Sequence, residues 1–256
     1  MKQGLPRTNF NSSKLIRFLT DLSTVDAPEP KQAFAERLGE WLDFSDAITL
    51  HAAHNASVAN SSAAHSGKPS VAKNSVAEEF AGTRTAMVNS IIKSCSPDGD
   101  EARIKLPTPK PGTAIETAAA YEPYHRFYLA HQGEMELGVR SLRSNARQAL
   151  SRVSTTLGRL AALDAALDKI LGARERQLLS TVPLLLENRF EQLLKAHQQR
   201  LADTQQADDP SQWMQQGEWL ASFCRELQGV LLAELDLRLQ PTVGLIEAFS
   251  NRKNTH

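Results

Sequence analysis

The residues of this chain that could do chemistry are few, and each lacks the partners its chemistry needs. Glu122 and His125 form an E-x-x-H step, which puts a carboxylate and an imidazole on one side of a helical turn, as in ferritin-like dinuclear sites. Such sites need two of these steps and two further glutamates on facing helices, and the sequence has no second step. His51 and His54 could share a helical face, yet no cysteine or carboxylate cluster completes a four-ligand metal shell around them. Serines are many, but none stands in a G-x-S-x-G turn, and neither phosphate-cradling glycine loop occurs. The expectation is a chain with no metal, no cofactor and no catalytic residue, one that is not an enzyme.

Two clusters suit binding better than catalysis. Between Leu137 and Leu163 there is no Asp or Glu, while Arg140, Arg143, Arg147, Arg152 and Arg159 are present. Arg140, Arg143 and Arg147 share one side of a helix, and a guanidinium suits forked contacts with carboxylate or phosphate. They read either as a docking face for an acidic partner, a phosphate backbone or lipid headgroups, or as arginines paired with acids elsewhere in the same fold. All three tyrosines, Tyr121, Tyr124 and Tyr128, stand close together beside Phe127. They are a candidate partner hot spot, because Tyr offers large contact area at low entropy cost, or the packed start of a long helix.

The element that must position both clusters is a helix. From Val139 through Leu142, Ala146, Ala149, Val153, Thr156, Leu160, Leu163 and Leu167 to Ile170, apolar residues recur at alternating steps of three and four, which only an α-helix gathers on one face. Leu150, Leu157, Leu171 and Leu178 widen that face beyond a two-stranded seam. Ser144, Ser151, Gly158, Ala165 and Gly172 hold the outward positions. A straight helix from Pro123 to Thr181 would run roughly 87 Å at ~1.5 Å per residue, so the stripe must pack on the N-terminal helices, on a second copy or on another protein. Leu160 and Leu167 are its candidate partner-binding residues. Pro183 kinks the helix or lets it restart with Ser180 or Thr181 as cap.

The rest of the chain frames this spine. Residues 1–54 read as an N-terminal helical region. Ser12 or Ser13 caps a first helix, a second begins near Lys31 with Phe34, Leu38, Trp41 and Leu42, and a third is capped by Ser45. Residues 55–74 read as a disordered linker, 75–95 as a single helix and 96–117 as a proline-rich linker. Residues 118–250 form the long-helix domain, closed by a helical hairpin of residues 183–201 and 211–239, and 251–256 a disordered tail. The second hairpin helix starts at Asp209 and Pro210 and carries Trp213 and Trp219, and Pro241 stops it. No strand signal occurs, so the fold class is all-α, an elongated helical bundle with one long kinked helix.

Composition narrows the function classes. Lys plus Arg and Asp plus Glu both number 29, giving zero net charge, so no global field draws the chain to nucleic acid or an anionic membrane. Cys95 and Cys224 match neither a disulfide framework nor a metal spacing and read as free thiols in a reducing cytosol. No signal peptide is expected, and the most apolar stretch, residues 157–173, is too short and too charged to span a membrane.

The stretches from Phe34 to Leu42 and Ser45 to Ile48, and from Phe223 to Arg225 and Leu231 to Pro241, resemble an uncharacterised bacterial family with a domain of unknown function. The family has no assigned activity and so supplies no site residues. The resemblance implies a setting near membrane proteins similar to flagellar-motor or TolQ-type channel subunits and near OmpA-like proteins, as a cytosolic accessory part of an envelope complex. The sequence therefore reads as a cytoplasmic helical scaffold or adaptor that binds a protein partner or itself. A nucleic-acid-binding regulator using the arginine run is the alternative.

Overall fold

The computed structural model describes residues 13–22, 39–55, 69–96, 102–110, 115 and 119–251. All regular structure among them is helical: α1 (Lys14–Leu22), α2 (Phe44–Asn55), α3 (Pro69–Ser94), α4 (Glu122–Ser151), α5 (Thr155–Leu179), α6 (Val182–Thr204) and α7 (Trp219–Asn251). The start of the helix expected at Lys31, with Phe34 and Leu38, lies outside the described residues, as do residues 56–68 of the linker. The helix expected from Ser75 begins earlier, at Pro69. The chain divides into two compact units, one of residues 1–29, 90–132 and 182–237, the other of residues 30–89, 133–181 and 238–256. Helices α3, α4 and α7 each contribute to both.

In the first unit, α6 and α7 pair antiparallel. Arg189 meets Glu226 through a forked pair at 2.8 and 2.7 Å, Phe190 meets Phe223, and further along α6 His197 meets Trp219. The second hairpin helix starts at Trp219 and not after Pro210. Asp209 accepts from the backbone and hydroxyl of Ser211, which favours a turn over a helix start. Trp213 sits in this turn, fully buried, its indole N–H donating to Asp208 at 2.7 Å. Gln205 and Gly217 take the left-handed backbone that closes α6 and precedes α7. Helix α1 lays Leu15 and Leu22 into this unit, and Phe18 comes so close to Gly229 on α7 that a Cβ there would meet its ring at 2.6 Å.

The second unit answers what the long stripe packs against. The helix expected to run unbroken from Pro123 to Thr181 ends at Ser151, and α5 starts at Thr155. Ser154 is its N-cap, extended (φ −163, ψ 158), its hydroxyl accepting from the Leu157 N–H. This bend is sharp enough to turn the stripe back on itself. Ala146 and Leu150 of α4 share one buried cluster with Leu157 and Ala161 of α5 and with Leu245 and Phe249 of α7. The second break falls at Ser180 and Thr181, where the chain restarts as α6 with Pro183 in its first turn.

Pro241 does not stop α7, which continues to Asn251. An interior proline costs a helix about 3 kcal/mol. Burying Leu245 and Phe249 beyond it returns about 1.5–3 kcal/mol each, so packing decides. The cap of α2 is Asp43 and not Ser45. Its carboxylate accepts from the Asp46 N–H at 2.7 Å, while Asp46 accepts from the Asp43 N–H at 3.2 Å, a reciprocal box.

Candidate functional site

The tyrosine cluster lies in the first unit. Tyr124 and Tyr128 are buried, and Tyr121 is half-buried. Tyr124 packs between Phe190 and Phe223, both at 5.5 Å between ring centres, and burial pushes its hydroxyl above the ordinary phenol range. Tyr121 donates to the Pro183 carbonyl at 2.7 Å. The Tyr128 hydroxyl donates at 2.6 Å to Glu234, a wholly buried carboxyl on α7 that also accepts from the Gln132 amide at 3.0 Å. These contacts place the tyrosines as core anchors that tie α4 to α6 and α7 within the unit.

Two buried histidines lie in the same unit. His131 meets the Ser94 hydroxyl at 2.8 Å, and burial lowers its pKa to about 4. His197 meets Asp208 at 3.0 Å and Arg200 at 3.1 Å. Burial pushes the Cys95 thiol up to about 11, against a smaller lowering by Ser94, and the Cys224 thiol up to about 12. Both sulfurs stay protonated near neutral pH and are poor nucleophiles. Half-buried His125 and exposed Glu122 pair at 3.6 Å, and exposed His51 bonds to Asn55 at 2.9 Å. Among the described residues no group of three or more His, Cys, Asp or Glu could hold a metal ion.

The arginine run lies in the second unit, and its members part ways. Arg143 grips Asp164 with a forked pair at 2.9 and 2.7 Å and reaches Asp168 at 2.9 Å. Arg147 binds the same two carboxylates at 2.6 and 2.7 Å. Burial alone would lower the Arg147 pKa, but hydrogen bonds and charge from Asp168 and Asp164 outweigh it and raise the pKa. This four-residue clasp clamps α4 to α5 behind the Ser154 bend. Arg140 stays exposed and pairs with Glu136 one turn back at 2.6 Å. Leu160 packs at the edge of the unit's core and Leu167 is half-buried.

Beside the clasp, a charged cleft of about 70 Å³ opens between α4, α5 and α7. Glu136, Val139, Arg140 and Arg143 line it from α4, Asp168, Gly172, Glu175 and Arg176 from α5, and Arg238 from α7. The spacing on α4 and α5 is three, four and seven, so each set occupies one helical face. Arg176 reaches Glu136 at 3.9 Å and Arg238 reaches Glu175 at 3.9 Å, both beyond hydrogen-bond length. The Arg238 side chain is only 7% exposed. Gly172 leaves the wall open where Arg176 folds across at 3.6 Å from a Cβ position. Sequence reading found Arg140 and Arg143 but missed Glu136, Glu175, Arg176 and Arg238. The missing ones sit outside the acid-free run and converge only because the helix turns back.

A second feature of this unit is the outer face of α2. The helix packs on α5, with the half-buried Thr49, Leu50 and Ala53 on one side, and just before it the Trp41 ring lies 5.0 Å from the Arg174 guanidinium. On the other side Phe44 is 83% and Ile48 55% exposed, and Ala47 and Ala52 are exposed with them. Apolar residues thus stand on both sides of α2, the outer ones beside the exposed Ser45 and His51. Ile48 and Leu50 are two positions apart, and at 3.6 residues per turn such a pair falls on nearly opposite sides of the helix.

No described helix is long and apolar enough to cross a membrane. No curated protein and no solved structure matches the chain. A family model described as "Protein of unknown function (DUF3348)" matches residues 1–251, and the chain belongs to that family.

Proposed function

We propose that this protein is a non-enzymatic helical adaptor that acts by binding another protein chain, with the outer face of α2 as a docking surface. The observation that carries this reading is the exposure of Phe44 and Ile48, one turn apart on a helix already packed through its other side. Leaving such side chains in water forfeits about 1.5–3 kcal/mol each relative to burial, and a partner helix laid along positions 44, 47, 48 and 52 would recover it. Of the binding readings, protein is preferred to nucleic acid because Arg143 and Arg147 are already neutralised by Asp164 and Asp168. Nucleic-acid binding would show as retention of mixed DNA and RNA that weakens steeply with salt. The resemblance to the bacterial family adds a cytoplasmic setting beside an envelope complex.

Light scattering on the purified full chain, followed by an affinity pull-down, tests the reading. The expected result is self-association or a reproducible protein partner, lost when Phe44→Asp and Ile48→Asp are combined in a variant with unchanged helicity. A strict monomer without a reproducible partner, or a partner retained by the double variant, would overturn it.

A further inference from the structure

Helix α1 is the shortest of the described helices, nine residues from Lys14 to Leu22, and it belongs with α7 up to Leu237 in the first unit. Leu15, Phe18, Leu19 and Leu22 recur at steps of three and four, which gives α1 one apolar face, and Leu15 and Leu22 are buried. Two contacts fix its register on α7. The Phe18 ring lies over Gly229, so close that a Cβ there would meet it at 2.6 Å, and the Lys14 ammonium donates to the Asp236 carboxylate at 2.8 Å. Gly229 and Asp236 are seven positions apart and share one face of α7. The order of the two contacts reverses between the helices, so α1 runs antiparallel to α7. A glycine inside this 33-residue helix weakens it. Here the missing side chain makes the hollow that receives the ring.

We propose that α1 is a detachable strap, and that the face of α7 beneath it is a helix-docking groove which α1 closes in its own chain. A helix shorter than about 12–15 residues is marginal alone in water, so α1 holds its form through its seat on the unit. That seat leaves Phe18 39% exposed, with Ile16 exposed beside it, and the Lys14 pair with Asp236 is a surface one, a class of contact that contributes little. The aromatic centre of the unit is built without α1. Tyr124, Phe190, Trp213, Trp219 and Phe223 pack on one another from α4, α6, α7 and the turn between the last two. Lifting α1 therefore leaves α4, α6 and α7 assembled and bares the hollow at Gly229, the kind of local opening that precedes global unfolding. The occupant of the bared groove is specified by α1 itself: an amphipathic helix with an aromatic side chain for the hollow and a basic residue four positions before it for Asp236. The groove lies in the first unit and the α2 face in the second, and the two are tested by different probes.

The probe is a labelled peptide with the sequence of residues 12–23, titrated into the full-length protein and read by fluorescence anisotropy. Leu15→Asp combined with Leu22→Asp lifts the strap. The peptide is expected to bind this variant saturably and about tenfold or more tighter than the wild type, whose groove is occupied. Lys14→Glu combined with Phe18→Ala changes only exposed side chains of α1 and gives the same gain in smaller measure, so the comparison survives if the aspartates unfold the chain. Adding Gly229→Leu to either variant fills the hollow, favours the helix and abolishes peptide binding. Hydrogen exchange in the wild type reads the opening without any substitution: the α1 amides exchange ahead of those of α7 between Leu227 and Leu235. Protection of α1 equal to that of α7, peptide binding as tight to the wild type as to the lifted variants, or binding that persists with Gly229→Leu would overturn the assignment.

Discussion

His131 and Asp164 show what single residues contribute. Burial holds the His131 pKa at about 4, below the ~6.5 of an unfolded chain, so the fold keeps the ring neutral. As pH falls below about 6.5 the unfolded state takes up a proton the folded state refuses. Stability is therefore full above that pH and declines toward pH 4 by about 3 kcal/mol. Urea unfolding of the wild type at about pH 7 and pH 4.5 should show this loss, and His131→Gln should flatten the difference; an equal decline in both would remove His131 as the cause. Asp164 accepts from both Arg143 and Arg147, and its side chain is 12% exposed. Asp164→Asn should cost about 2–3 kcal/mol in the same measurement, somewhat below the ~3–5 of a fully buried broken pair. The arginines were legible in the sequence as a cluster lacking local acids, but their partners were not. Asp164 lies 21 positions from Arg143, and such a pairing is set by the chain path, which no local pattern encodes.

At the scale of elements, periodicity located the helices better than their ends. The stripe is buried from Val139 to Ala146 on α4, but between Thr156 and Ile170 on α5 the buried residues are Leu157, Ala161 and Ala166 while Thr156 is exposed; the pattern runs on through the break because Val153, Thr156 and Leu160 keep the step of three and four across it. The signal for the break lay in residues outside the stripe. Ser151, Ser154 and Thr155 compete with the helical backbone for hydrogen bonds, and Ser154 does so as the cap of α5. Pro241 misled in the opposite sense, as a stop signal overridden by the burial of Thr242, Leu245 and Phe249 behind it. Since α7 carries that proline at a cost, Pro241→Ala should stabilise the protein by about 1–3 kcal/mol, raising the midpoint of chemical unfolding. A lower midpoint would mean that the proline ring itself packs usefully or that the local bend is needed. The aromatic start of α4 was legible as a packed cluster; its buried partner Glu234 was not, because an acid inside an apolar run from Leu227 to Leu239 reads as a solvated position until Tyr128 and Gln132 are seen to reach it.

For the whole molecule, helical periodicity and the lack of any strand signal were sufficient to place the chain among all-α folds. Where its binding surface lies depends on how the long stripe is used up. A continuous helix would leave that stripe for a second copy or another protein. Folded back at Ser154, Ala146 and Leu150 of α4 are covered by Leu157 and Ala161 of α5 and by Leu245 and Phe249 of α7, and the surface we propose for a partner is the outer face of α2. The direct test is the distance between spin labels at Ser141 and Lys169, exposed positions on α4 and α5, in a full-length variant with Cys95 and Cys224 replaced. Antiparallel helices at ~8–10 Å between axes predict a label separation below about 25 Å. A population centred near 42 Å, the span of those 28 residue steps in one unbroken helix at ~1.5 Å each, would contradict the account.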